Sequence, residues 1–376
     1  MSPLECDVLI AGCGPTGVVL ASLLGQLGVR TIVLEREPDV FPVPRATHID
    51  EETVRNFQAT GLIDALLPHT ELFGTIEVVD EKGHVLLQDE VGDPESIHGY
   101  RGSRFFDQPA FERVLREGLG RFACVRLITG TAVESVANGD DRALVRARSG
   151  TGDLREIAAT WVVGCDGGRS AVRSSAGIVM ESIAEKRPWL IVDSLLRDPS
   201  DAARLPQCFR YVLNPDRLTV YAHGFGNNRR WEFQLPVGGE APPDDVVFQW
   251  IAPFIDPARL EVTRVATYQH TALVARQWRV GRVLIAGDAA HMMPPSAGQG
   301  MCSGIRDAVN LAWKLAFVVR GTAPDLLDTY ERERDPHVRE ILDGTLFIGR
   351  RLRGDTVFQR WLRHSQLRVF ASMPRV

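Results

Sequence analysis

The stretch CDVLIAGCGPTGVVLASLLGQLGVRTIVLE, residues 6–35, decides the fold. Its first six residues form a short apolar run rich in β-formers, the pattern of a buried strand. GCGPTG follows at 12–17, a helix is expected from there to about residue 28, and TIVLE at 31–35 reads as a second strand. This is a β-α-β unit with Gly12-x-Gly14-x-x-Gly17 at its first turn. Gly12 permits the tight turn, Gly14 lets a pyrophosphate approach the backbone, and Gly17 lets helix and strand pack closely. Pro15 and Thr16 open the helix, whose N-terminal N–H groups face the phosphates. Glu35 ends the second strand, where an acid can accept hydrogen bonds from a ribose diol, and Arg36 beside it is a further cofactor-binding candidate. The combination predicts dinucleotide binding, and the acid favours an unphosphorylated ribose, as in FAD or NAD.

Working outward, residues 51–67 look helical, with Val54, Phe57, Leu62, Leu66 and Leu67 on one side. Residues 75–79 and 84–88 alternate around Glu81-Lys82-Gly83 as a hairpin. An amphipathic helix is expected at 109–122, followed by short strands at about 125–136, 142–148 and 155–165. From 189 to 236 alternation dominates, broken by turn signals at Asn214-Pro215-Asp216 and Gly226-Asn227-Asn228, which predicts an antiparallel sheet. VLIAG at 283–287 returns to a parallel-type strand, and 300–320 and 323–344 read as helices. Rossmann-like pieces therefore open the chain and return late, with sheet-rich segments inserted between them.

Composition excludes several alternatives. With 44% hydrophobic and 24% charged residues, this 376-residue chain is no disordered protein, collagen or coiled coil. A net charge of −5 gives no nucleic-acid footprint. Lysine occurs only at 82, 186 and 314, the other basic residues being arginine, which we read as codon bias. The cysteines at 6, 13, 124, 165, 208 and 302 form no C-x-x-C pair, so neither a metal site nor a disulfide framework is expected, and a reducing cytoplasm is the default. Acids precede the first apolar run, so no signal peptide is expected. The most apolar helical stretch, 308–319, contains Asn310 and Lys314, so no membrane span is expected either.

Two more clusters lie at predicted strand ends. Cys165-Asp166-Gly167-Gly168-Arg169-Ser170-x-x-Arg173 follows WVVG. Gly287-Asp288-Ala289-Ala290-His291 follows VLIA and leads to Pro294-Pro295 and Gly298-Gln299-Gly300-Met301. Each alone is compatible with an Asx-type turn. An aspartate so placed can also reach a ribityl hydroxyl, while the glycine loop and the start of the 300–320 helix offer N–H groups to developing negative charge.

GCGPTG, CDGGRSAVR and GDAAHMMPP in this order resemble the three fingerprints of the single-component flavoprotein aromatic hydroxylases, the p-hydroxybenzoate hydroxylase class. PRATHIDEETVRNFQATGL, FFDQPAFERVL and AGQGMCSGIRDAVNLAWKLA are more similar to its 3-(3-hydroxyphenyl)propionate and polyketide hydroxylase branch, over about residues 5–345. The resemblance implies an α/β fold in which a Rossmann-like FAD-binding domain (1–73, 98–180 and 275–345) interleaves with a mostly antiparallel sheet domain for the substrate (74–97 and 181–274). A basic helical tail would cover 346–376. Relatives in this branch usually continue into a thioredoxin-like domain, and the sequence here ends at Val376.

The resemblance further implies tightly but non-covalently bound FAD, transient reduction by NADH or NADPH, and a C4a-hydroperoxide that hydroxylates a phenolic or polycyclic aromatic substrate with O2. A homodimer is compatible with it, and no nucleic-acid partner is. A same-fold oxidoreductase that does not hydroxylate a phenol, such as an epoxidase, dehydrogenase or reductase, is the alternative. A halogenase is disfavoured because no W-x-W-x-I-P segment exists.

Matching positions give candidates. Arg45 and Gln108 would lie beside the FAD chain, Asp288 would bind the ribityl group, and Asp166, Gly167, Arg169 and Arg173 would serve FAD and the nicotinamide. Gly287, Pro295, Gly298, Gln299, Gly300 and Met301 would border the flavin. Arg230 would sense the ring's position. Tyr211 would contact the phenol, with His223 and His48 as candidate activating groups. His291 is expected to be structural. Gly224 stands where the p-hydroxybenzoate branch has a carboxylate-binding arginine, and Cys302 where many members carry asparagine.

Overall fold

The computed structural model describes residues 4–90, 97–295 and 298–352. Leu4–Ala11 pairs in parallel with Thr31–Leu34 on one side and Leu154–Gly164 on the other. Val283–Ile285 and Val125–Ile128 extend this parallel sheet at either side. Val8, Leu9, Ile10, Val162, Val163, Leu284 and Ile285 are fully buried, as continuous apolar runs on a sheet covered from both faces should be. The first helix, Pro15–Gln26, packs against the long Gln299–Val319 helix. Contact is close because Gly304 faces Thr16: a Cβ there would lie 2.4 Å from the Thr16 hydroxyl oxygen.

The second large sheet has eight strands among the described residues, in the order 291–292, 260–275, 180–196, 228–234, 218–222, 209–213, 75–80 and 85–90. All its pairings are antiparallel except that of Phe209–Leu213 with Thr75–Asp80. One face carries Leu190, Val192, Tyr221, Trp231 and Phe233 against Val247 and Ile251 of the Asp244–Ile251 helix. The opposite face carries Trp189, Tyr211 and Val220 and meets Leu352 at the end of the Asp328–Leu352 helix. A three-stranded sheet of His48–Ile49, Arg104–Phe106 and Thr70–Leu72 sits beside it.

The expected fold class is the observed one, with local differences. The helix expected over 51–67 stops at Gln58, because Gly61 takes φ +71° and reverses the chain before a single turn at Ile63–Leu66. The expected 109–122 helix is Gln108–Gly118 continued by one 3-10 turn, Leu119–Arg121. The 16-residue strand Leu260–Ala275 adds to the expected elements. Beyond Leu352, the basic helical tail lies outside the described residues.

Candidate functional site

The first turn is built as its glycines require. Gly12 sits at φ +96°, and a Cβ on it would lie 2.4 Å from the Cys165 carbonyl oxygen. At Gly17 a Cβ would lie 2.0 Å from the Gly12 carbonyl oxygen. At Gly14, by contrast, it would meet nothing within 4 Å, so this glycine leaves the helix N-terminus approachable. Glu35 is buried at the edge of the turn. Its Oε2 accepts from the Cys13 N–H at 2.7 Å and its Oε1 from the Glu37 N–H at 2.9 Å, which holds both oxygens in place with lone pairs to spare. Arg116, unremarked in the sequence, donates from Nε to the Cys13 carbonyl at 3.1 Å and comes within 3.9 Å of Glu35. The Arg36 side chain is exposed and pairs with Glu37.

The Pro44–Arg45 loop is held from both sides. Gln108 Oε1 accepts from the Arg45 and Ala46 N–H groups at 2.8 and 2.7 Å, while its Nε2 donates to Glu112 at 2.8 Å. From the large antiparallel sheet, Arg230 donates to the Arg45 and Pro44 carbonyls at 2.8 and 2.6 Å, and Arg264 to the Pro44 carbonyl at 3.1 Å. Both arginines share Asp193, each through Nε at 2.7 Å. Gln108 and Arg230 thus position the loop through its backbone. The Arg45 guanidinium itself is exposed over the Phe41 ring, 5.4 Å from its centroid.

Asp166 Oδ2 accepts from the Ala171 and Val172 N–H groups at 2.8 and 3.2 Å, but its buried Oδ1 has no partner among the described residues. Gly167 turns the chain at φ +82°. Arg169 is exposed, whereas Arg173 ties two turns together by donating to the Ala289 and Gly168 carbonyls. Gly287, at φ +60°, presses on Thr16 and donates its N–H to Asp307 at 3.0 Å. Asp307 is fully buried and also meets His291 at 2.6 Å and Arg334 at 2.9 Å. Burial opposes its charge, yet these two partners keep its carboxyl below the usual range. The His291 ring is thus fully buried against Asp307.

Asp288 is exposed at the surface of its turn, yet the protein packed around it raises its carboxyl above the ordinary range, against the pull of His291 and Arg45. At the next turn Gly298 takes φ +65° as the N-cap of the 299–319 helix, and a Cβ there would strike the His48 ring at 2.5 Å. Gln299 donates to Asp50 at 2.9 Å and accepts from Arg306 at 3.0 Å, so its side chain locks the loop to the 51–58 helix. Burial opposes the charge of Asp50, but Arg306, Thr53 and Gln299 outweigh it and hold its carboxyl at about 2. A Cβ at Gly300 would meet nothing within 4 Å, Met301 packs on the main core, and Cys302 is fully buried with its thiol pushed up to about 12.

Next to Pro294 and Pro295 lies a cavity of about 390 Å³. Its sheet wall carries Trp189, Tyr211, Val220, Glu232 and His270, and the end of the 328–352 helix closes the other side. His270 stacks on Trp189 with centroids 4.6 Å apart. Burial and the nearby Glu232 raise the Tyr211 hydroxyl above its ordinary range. Arg187 and Arg350 border the same cavity. His223 does not line it. That ring meets the Pro206 carbonyl at 3.3 Å, and burial beside Arg229 lowers its pKa to about 4. Glu232 was missed, although alternation through Arg230-Trp231-Glu232-Phe233 puts it on the face of Arg230.

Residues 5–345 match the family described as FAD binding domain. The chain belongs to this family. Among relatives of this FAD-binding protein is the 3-(3-hydroxy-phenyl)propionate/3-hydroxycinnamic acid hydroxylase of Mycolicibacterium smegmatis, 38% identical across 93% of this chain and 62% of the relative. Another, from Rhodococcus jostii, carries the name "Probable NADH-specific resorcinol 4-hydroxylase" and is 40% identical across 92% of this chain and 65% of its own. The chain thus spans less than two thirds of these curated relatives. Among solved structures, p-nitrophenol 4-monooxygenase from Pseudomonas putida DLL-E4 superposes with a TM-score of 0.88 at 23% identity, covering 99% of this chain and 95% of that one. Aklavinone-11 hydroxylase, solved with FAD and aklavinone, gives 0.80 at 25% identity, covering 92% and 69%.

The observed groups suit FAD. The approachable Gly14 backbone and helix N-terminus suit a pyrophosphate. Glu35 and Asp288 offer carboxylate oxygens that suit sugar and ribityl hydroxyls, and Oδ1 of Asp166, without a partner among the described residues, is a third free acceptor beside the same turns. No helix among the described residues is long and apolar enough to cross a membrane.

Proposed function

We propose that the chain is a flavoprotein monooxygenase that hydroxylates a phenolic ring with NAD(P)H and O2. One observation carries the reading. An aromatic-walled cavity with a tyrosine and a carboxylate adjoins Pro294–Pro295, the segment that leads from the Asp288 turn to the glycine loop. Residues 1–73, 98–180 and 275–345 would form the cofactor unit, and 74–97 and 181–274 the substrate unit. Gly12, Gly14, Pro15, Thr16 and Gly17 would cradle the pyrophosphate. Glu35 would hold the ribose and Asp288 the ribityl chain, with Gly167, Gly287 and the N–H groups at 298–301 along the flavin. When bound, FAD supplies two-electron redox chemistry and the activation of dioxygen.

The chain's own part is positioning and water exclusion. Trp189, Tyr211 and Val220 give a phenol an apolar slot, while the helix end at Leu352 screens it from water. Arg187 and Arg350 at the border suit an anionic tail, which favours a phenolic acid. The relatives' names, hydroxyphenylpropionate and resorcinol hydroxylases, supply the phenols to try first. The cytoplasm is the compartment we assign, since it supplies NAD(P)H and keeps thiols reduced; all six cysteines are free. The test is NADH and NADPH oxidation by the flavin-loaded protein with each phenol, with product traced by mass. Phenol-dependent oxidation with a hydroxylated product supports the reading, whereas nicotinamide oxidation without product would favour a same-fold dehydrogenase or reductase.

A further inference from the structure

Successive side chains of the Asn228–Gln234 strand point to opposite faces of the sheet. Trp231 and Phe233 are fully buried in the core beneath the 244–251 helix. Glu232, between them, faces the cavity instead. A carboxylate only 9% exposed ordinarily has hydrogen-bond donors or a close counter-ion. Among the described residues, none donates a hydrogen bond to Glu232, and its nearest cation, Arg230 Nη1, stands off at 4.0 Å. Arg230 is committed elsewhere, to Asp193 and to the Pro44 and Arg45 carbonyls. Glu232 therefore keeps its acceptor capacity, directed into the cavity.

Register places a second polar group across from it. Tyr211 lies opposite Val220, and Val220 opposite Glu232, so the three form one row on one face. With strands about 4.8 Å apart, Tyr211 and Glu232 are separated by roughly 10 Å, enough to bracket one aromatic ring. The other charged and titratable groups near Glu232 are Asp193 on the adjacent strand, and Arg264, Tyr268 and His270 on the Leu260–Ala275 strand. Burial raises the Glu232 carboxyl above its ordinary range; Arg230 and Arg264 oppose this and Asp193 adds to it. A stronger base is better matched to a weakly acidic phenol.

We propose that Glu232 is the proton acceptor for the hydroxyl of the bound phenol, a role that rests on the hydroxylase reading. The phenol O–H bond breaks as a bond forms between that hydrogen and Glu232 Oε. No electrons change hands in this step. The ring gains phenolate character and becomes more nucleophilic toward activated oxygen, and Glu232 returns the proton to the ring oxygen once product has formed.

Two readouts on the flavin-loaded enzyme test this. In the first, flavin absorbance is titrated with a phenol and with its O-methyl ether. Wild type should prefer the phenol by about tenfold to a hundredfold, and E232L, which removes a buried charge without opening a cavity, should reduce the preference to within about threefold. In the second, product per NADH is followed across phenols of graded acidity. E232Q should lose at least about tenfold with weakly acidic phenols and recover with ring-fluorinated ones, which ionise without help. Equal product from E232Q and wild type across the series would overturn the assignment, as would a loss independent of phenol acidity, or an E232L preference as large as wild type's. If wild type itself makes no hydroxylated product, the hydroxylase reading falls first and the catalytic role of Glu232 falls with it.

Discussion

Asp193→Ala probes the clamp by which the large antiparallel sheet holds the Pro44–Arg45 loop. Its carboxylate is shared by Arg230 and Arg264, both through Nε at 2.7 Å. The Asp193 and Arg230 side chains are 8% and 6% exposed, and that of Arg264 is 21% exposed. Both arginines remain tied to carbonyls of the Pro44–Arg45 loop, so neither is free to turn to solvent. The variant leaves two guanidinium groups facing each other without their counter-charge. Removing one partner from a buried pair costs about 3–5 kcal/mol, and the partial exposure of Arg264 places this case toward the lower end. At roughly 2–4 °C per kcal/mol, nearer the lower figure for a chain of this length, Tm should fall by about 6–12 °C. Asp193→Asn, which keeps one carbonyl acceptor, should lose about half as much. A variant with Asp193→Leu, Arg230→Met and Arg264→Met should regain most of the loss, because apolar replacement of a whole buried cluster is close to neutral. Thermal melts of the flavin-loaded protein, followed by circular dichroism and by flavin release, provide the assay. An Asp193→Ala melt within about 1 °C of wild type would refute the description of this cluster as a buried charge network.

Three further outcomes are expected. Asp288→Ala should raise the dissociation constant for FAD about tenfold to a hundredfold, the loss of a charged acceptor, and unchanged flavin content after gel filtration would remove that role. Tyr211→Phe should lower product formed per NADH more than it slows flavin reduction, which rapid-mixing absorbance and product assays separate; an unchanged yield would take Tyr211 out of phenol contact. Burial lowers the His48 pKa from 6.5 to about 4, so the unfolded chain binds its proton first as pH falls. Its contribution is full above pH 6.5 and is lost as pH drops toward 4. Urea titrations should show that slope in wild type and a flatter one in His48→Gln; identical slopes would contradict a neutral, desolvated His48 ring in the folded chain.

The first β-α-β unit was legible because its constraints are local. Gly12 and Gly17 occupy backbone space that no side chain can share, and Val8-Leu9-Ile10-Ala11 is apolar without interruption because its sheet is covered on both faces. The break after Gln58 was harder to read, since Leu62 and Leu66 continue the apolar spacing across Gly61 and mask the turn. Leu260–Ala275 carries Arg264, Gln269 and His270 among its apolar residues, because part of it serves the loop clamp and the cavity rather than a core. In the site, the ties between distant segments are what a single stretch does not encode. Gln108, a candidate only through the family resemblance, is tied to residues 45 and 46, whereas the ties of Arg116 to Cys13 and of Asp193 to Arg264 have no counterpart in the sequence reading. No spacing within a single segment encodes such pairs. Glu232 is the intermediate case, since alternation gives its face but only the assembled sheet shows that a cavity lies there.

Whether the enzyme hydroxylates a phenol is read from a reaction of the flavin-loaded protein with NADH, a phenolic acid and 18O-labelled dioxygen, by mass spectrometry of the product. A monooxygenase working in this cavity should place one 18O atom in each hydroxylated molecule, with NADH oxidation accelerated by the phenol. NADH oxidation with no labelled product for any phenol tried would contradict it.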